Sequence, residues 1–159
     1  MKVTIICVGK LKEKYWKYAV EEYSKRLSKY CKLDMVELPD EKAPETMTKA
    51  EEKQVVKKEG QRIVKAIKGD AVVIALAIEG EMLSSEMFAA QIERDAVQGV
   101  SHIAFIIGGS LGLSEEVMQK ANRALSFSTM TFPHQMMRVI LLEQIYRAFK
   151  IIKKEPYHK

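Results

Sequence analysis

Two places in the chain bring together groups that could do chemistry. The first is Gly108-Gly109-Ser110-Leu111-Gly112-Leu113, which follows the apolar run HIAFII and holds three of the chain's eight glycines within five positions. Glycines at the end of a buried strand either let the backbone turn sharply or let its N–H and C=O groups reach a planar, polar ligand; the residue types leave both open. The second is His134, just after Pro133 and four residues before Arg138. An imidazole can trade a proton near neutral pH, and a guanidinium one helical turn further on can face the same way and hold a phosphate or a base. The structural alternatives are capping or packing for His134 and an ion pair for Arg138.

The familiar site motifs are missing. GGSLGL is not the GxGxxG of a dinucleotide fold, GxxxxGK[ST] occurs nowhere, and Ser110 lacks the GxSxG spacing of a nucleophile elbow. His102, His134 and His158 are scattered without HxxxH or HExxH spacing, so no metal is expected. Cys7 and Cys31 show no CxxC spacing; Cys7 falls in an apolar strand, and the pair reads as reduced thiols of a cytoplasmic chain. The apolar runs are far shorter than the ~20 residues of a membrane-spanning helix. The opening MKVTIICVGK lacks a small-residue cleavage site and reads as a first strand.

The elements that must position these groups alternate between strand and helix. VTIICVG (3–9), CKLDMVEL (31–38), DAVVIALAI (70–78), HIAFII (102–107) and LSFSTMTF (125–132) read as strands. Helices are expected up to about residue 30, over about 49–68 (weakened by Gly60), over 84–98 with a capping-box start at Ser84 or Ser85, after the cap Ser114, and from Pro133 through HQMMRVILLEQIYRAFKII. EKAPETMTKA is polar and loop-like, and KKEPYHK forms a tail. In the first helix, Trp16, Ala19, Val20, Tyr23, Leu27 and Tyr30 form one stripe. Packing on a sheet is its favoured reading and a base-stacking platform the alternative. At 159 residues, the pattern indicates one α/β domain (1–159), a mostly parallel sheet with helices on both faces. Ligands in such sheets bind at the carboxyl ends of strands, here LAIEG, GGSLGL and FSTMTFPH.

The net charge is +5, a modest excess that a solvated surface explains nearly as well as a polyanionic partner. Basic residues gather in two zones, 10–32 and 138–159, which would form a nucleic-acid footprint if the fold brought them together.

IIGGSLGLS, LSFSTMTFPHQMMRVILLEQIYRA and the terminal PYHK, in that order, closely resemble the RlmH family of ribosomal RNA large-subunit methyltransferases, within the SPOUT class. The resemblance spans the whole chain. It implies a C-terminal trefoil knot, rare among folds, a homodimer, and S-adenosyl-L-methionine as methyl donor with no metal. It also implies methylation at N3 of a pseudouridine in 23S ribosomal RNA of the assembled ribosome. Carried onto this sequence, it places the cofactor against Leu76, Gly108, Gly109, Phe127, Ser128, Thr129, Met130, Thr131 and Phe132. Leu76 and Phe132 would enclose the adenine, while the main chain of Ser128 to Thr131 makes polar contacts. His134, Arg138, Tyr157 and His158 become candidates for the catalytic work, and the tail would face substrate, reaching the partner subunit's pocket. Where relatives often show L-D-x-x-G, this chain has Ala77 in LAIEG, and Glu79 is the acid left nearby.

Overall fold

A computed structural model describes residues 1–42 and 44–159. In chain order the elements are β1 (Lys2–Val8), α1 (Lys14–Leu27), β2 (Lys32–Leu38), α2 (Lys49–Ala66), β3 (Val72–Met82), α3 (Ser85–Val97), β4 (His102–Ile107), α4 (Glu115–Lys120), β5 (Arg123–Ser126) and α5 (His134–Ile152). The strands form one sheet in the order β2-β1-β4-β3-β5, every pair parallel. The expected α/β fold is the one found.

The continuous apolar strands are explained by helices on both faces. Alternate residues of β1 and β4 point to opposite sides. Ile5, Cys7, Ile103, Phe105 and Ile107 pack with Leu27, Phe88, Ile92, Leu141 and Ile145 from α1, α3 and α5. Ile6, Val8, Ala104 and Ile106 pack with Ile63 and Val117 from α2 and α4. The α1 stripe is divided: Val20 and Leu27 are buried, while Trp16, Ala19, Tyr23 and Tyr30 are half-buried. Packing is therefore the main role of that face. Gly60 does not interrupt α2. Ser114 Oγ lies 2.1 Å from where a Cβ on Gly60 would stand, so the missing side chain lets α4 approach.

Two expectations need correction. The reciprocal capping box belongs to Thr48 and Glu51 at the start of α2; Ser84 caps α3 through the Met87 N–H alone, because Met87, three residues on, has no carboxylate to return the bond. The strand expected over 125–132 is only β5, and residues 127–133 are a loop. Ser128 Oγ accepts the Met130 N–H at 3.0 Å and the Ser128 carbonyl accepts from Ser126 Oγ, so serine side chains close a local turn that competes with the ladder. The alternation of LSFSTMTF imitates a strand but comes from this turn. The segment 41–48 includes residue 43, outside the described residues; beside it, Glu41 accepts from Arg62, and its N–H reaches Glu59 Oε2 at 3.1 Å.

β3 holds β5 twice. Leu76 and Glu81 both lie opposite Leu125, so residues 77–80 arch away and return to the same partner. At the return, a Cβ on Gly80 would stand 2.7 Å from the backbone of Ala124 and Leu125. Backbone cannot yield as a side-chain tip can, so Gly80→Ala should destabilise the fold by about 1–3 kcal/mol, lowering Tm by roughly 3–10 °C in thermal denaturation. An unchanged Tm would mean that the arch does not need this close approach.

Candidate active site

The carboxyl ends of β3 and β4, the 127–133 loop and the start of α5 enclose a cleft of about 750 Å³, within the range of small-molecule sites. Leu76, Gly108, Gly109, Phe127, Ser128, Met130, Thr131 and Phe132 all line it; Thr129 does not. Ala77, Ile78, Glu79, Leu111 and Pro133, within the three strand-end stretches that the sequence marks, also line it, and so does Met137, which the sequence reading missed. Met137 lies three residues after His134, a helical spacing that could have marked it.

The glycine loop now has a physical explanation. A Cβ on Gly108 would stand 2.9 Å from both the Gly112 carbonyl oxygen and Leu113 Cδ2, and Gly112 has φ +84°. The Gly112 N–H donates to the Gly109 carbonyl at 3.1 Å. These glycines are needed for the loop to fold back on itself, and the tight loop then presents its main chain to the cleft. Behind it lies Glu59 of α2, a buried carboxylate whose Oε1 is 3.1 Å from the Cβ position of Gly109. Burial pushes its carboxyl above the usual range.

His134 lines the cleft as the first residue of α5. The helix cap is Pro133 and no side-chain cap bond is present, so capping is not the imidazole's role. Burial, then the neighbouring Arg138 charge, holds its pKa below the ordinary 6.5. At neutral pH the ring is therefore uncharged and able to accept a proton.

Arg138 itself is fully buried. Nη1 donates to Glu37 Oε2 at 2.7 Å, and Nη2 to the carbonyls of Gly9 at 2.7 Å and Val8 at 3.3 Å. The ion-pair alternative is the one the structure shows, and the guanidinium is closed off from any phosphate. Glu37 also accepts the Leu11 N–H, and Gln135 Oε1 accepts the Lys12 N–H. Arg138 thus ties the ends of β1 and β2 to α5 beside His134. No local pattern signals Gly9, Leu11 or Glu37, because they join the site only through the sheet order.

Tyr157 and His158 are docked, and not at this chain's own cleft. The Tyr157 hydroxyl donates to Glu143 at 3.0 Å, and its ring packs on Tyr146 and under Arg147. Burial first, and the Glu143 carboxylate next, push its hydroxyl up to about 12. His158 Nδ1 accepts from Arg147, which can only donate, and Nε2 reaches Glu86 at 2.8 Å. Glu143 is nine residues along α5 from His134, roughly 14 Å at the helical rise.

Burial raises the Cys7 thiol to about 12 and Cys31 to about 11, so neither is a ready nucleophile. Among the described residues no His, Cys, Asp and Glu group is arranged to hold a metal ion, and no helix is long and apolar enough to cross a membrane.

A family described as "Predicted SPOUT methyltransferase" matches residues 1–158. The chain belongs to the SPOUT methyltransferases. Members of this class generally use S-adenosylmethionine. A solved structure described as a probable methylase family protein from Haemophilus influenzae Rd KW20 is 13% identical, with a TM-score of 0.50. The match covers 96% of this chain and 66% of that one, so this chain spans just under two thirds of its length. At that identity the likeness concerns the fold.

In this SPOUT chain, Arg138→Met should leave the Val8 and Gly9 carbonyls without their donor and lower stability by about 2–4 kcal/mol in urea unfolding. Its missing charge should also raise the His134 pKa in an NMR titration. Arg138→Met with unchanged stability and an unmoved His134 would refute the positioning role.

Proposed function

We propose that this protein transfers a methyl group from S-adenosyl-L-methionine to N3 of a pseudouridine in large-subunit ribosomal RNA, on the assembled ribosome, as a cytoplasmic homodimer of RlmH type. The observation that carries this reading is the cleft: a main-chain loop, two apolar walls and an uncharged imidazole meet at the carboxyl ends of the strands. The motif order IGGSLGL, SFSTMTFPH and PYHK supports the narrower assignment.

The cleft fits the cofactor's chemistry. Leu76 and Phe132 offer apolar faces for a flat base, and the main chain of the 108–112 loop and of Ser128, Met130 and Thr131 offers donors and acceptors. Bound there, S-adenosylmethionine supplies a sulfonium methyl that needs no metal activation. His134 would take the N3 proton, which its lowered pKa permits at neutral pH, as the N3–methyl bond forms and the methyl–sulfur bond breaks, leaving the neutral thioether in the cleft. Arg138 acts through His134 and the Gly9 turn and does not touch substrate.

The tail works in the partner subunit's cleft. Ile78, Met82, Met87 and Met130 are large apolar side chains left exposed around the cleft and the start of α3, and His158 docks on Glu86 beside Met87. A second copy packed on this face would cover them and bring each tail towards the other subunit. The trefoil knot belongs to the same proposal, and the motif order is what supports it.

The test is transfer of labelled methyl to ribosomes lacking the modification, with and without prior pseudouridylation. We expect label at one position, dependent on pseudouridine, with a rate that falls in acid only below the ordinary imidazole range, as His134 takes up a proton. His134→Gln should lose that acid limb along with ~10²-fold or more in rate. Equal labelling without pseudouridine, or of a free hairpin as fast as of ribosomes, would contradict the proposal.

A further inference from the structure

Tyr15 and Tyr18, which lie outside the helix's packed stripe, are 61% and 66% exposed on the first two turns of α1. Lys10, Lys12, Lys14 and Lys17 flank them in the sequence, with Glu13 among them and Glu21 and Glu22 one turn beyond Tyr18. None of these four lysines takes part in an ion pair within the described residues. Helix stability does not account for them, since the helix dipole disfavours cations in the first turn, and α1 has no acid there to offset it.

This surface continues into the cleft. The Lys12 N–H donates to Gln135, the residue after His134, and Gly9 lies against the imidazole, with its Cβ position 3.7 Å from Nε2. A strand of polyanion leaving the cleft at His134 would next meet Lys12, Lys14 and the two tyrosines. Ammonium groups contact phosphates, and exposed phenol rings one turn apart present faces on which unpaired bases stack, without regard to sequence.

We infer that the Tyr15–Tyr18 face of α1, with Lys10, Lys12, Lys14 and Lys17, holds the unpaired RNA segment flanking the target nucleotide. The inference rests on the RNA-methylating reading above. It also gives the base-stacking alternative of the sequence analysis a place, on the outer face of α1 and not on its packed stripe.

The chain's only tryptophan provides a direct probe, because Trp16 stands edge-on to Tyr15 with ring centres 5.0 Å apart. Adding a 12-nucleotide single-stranded oligoribonucleotide should change Trp16 fluorescence in the wild-type protein. In the Tyr15→Ala/Tyr18→Ala double variant, its Kd and the KM for ribosomes should each rise at least tenfold, with kcat at saturation and S-adenosylmethionine affinity unchanged. Tyr15→Phe/Tyr18→Phe should restore both, since the ring is kept. Lys14→Gln/Lys17→Gln should flatten the salt dependence of binding, reducing the slope of log K by roughly 1.4.

Unchanged Kd and KM in the alanine variant would overturn the inference. Dissociation of that variant into monomers, or equally tight binding of polyglutamate by the wild type, would also overturn it, showing a subunit interface or a site for acidic protein. Wild-type methylation of ribosomes with any of these results would sink this inference alone. Absence of methylation on every RNA would instead sink the reading beneath it.

Discussion

The site depends on one buried guanidinium. Arg138 is completely enclosed, yet it donates to Glu37 at the end of β2 and to the carbonyls of Val8 and Gly9 at the end of β1. Burying such a charge is costly unless it is paired and hydrogen-bonded. The surrounding structure meets that condition only when β1, β2 and α5 are in register with one another. His134 stands one turn before Arg138, so the contacts that pair the charge through Nη1 and Nη2, leaving Nε without a partner, also hold the imidazole at the cleft. Its own partial burial, and then the Arg138 charge nearby, lower its pKa, because both disfavour a positive imidazolium.

The cleft's other walls arise from close backbone approach. β3 passes β5, arches and returns, and only a residue without a side chain fits at Gly80 where the two backbones nearly touch. The glycine loop after β4 folds back on itself with the same economy of space, against the buried carboxylate of Glu59. Both features place main-chain polar groups at the strand ends, where helices on either face leave an opening. The proposed methyl transfer needs little more than this: a shaped cavity, main-chain donors and acceptors, and one uncharged base held in line.

Much of this was readable in the residues. The strand–helix alternation, the caps Ser84 and Ser114, and the start of the last helix at His134 follow from local pattern, and local pattern is where they were found. The segment 125–132 misled because Ser128 bonds its own backbone, and a turn with alternating apolar residues looks like a strand. Of the nine residues that the resemblance assigns to the cofactor, eight line the cleft, but which of the two reasons for the glycines applies is not legible in the sequence. Gly108 is excluded from any other residue type by Gly112 and Leu113, a contact that exists only once the loop has closed. Between the two roles the sequence allows Arg138, substrate contact and ion pair, local pattern cannot choose, because its burial depends on Glu37 and Val8, about a hundred residues or more away in sequence. The tail's docking on Glu143, Arg147 and Glu86 of its own chain is not legible either, since no motif marks those partners.

On the proposed reading, the cleft between the 108–112 loop and the 127–133 loop receives S-adenosylmethionine with its methyl group towards His134. A crystal structure of the protein with that cofactor bound tests this most directly. The account predicts the adenine between Leu76 and Phe132, main-chain bonds from both loops, and the methyl carbon facing the imidazole. A cofactor bound elsewhere on the chain, or bound in the cleft with its methyl turned away from His134, would contradict it.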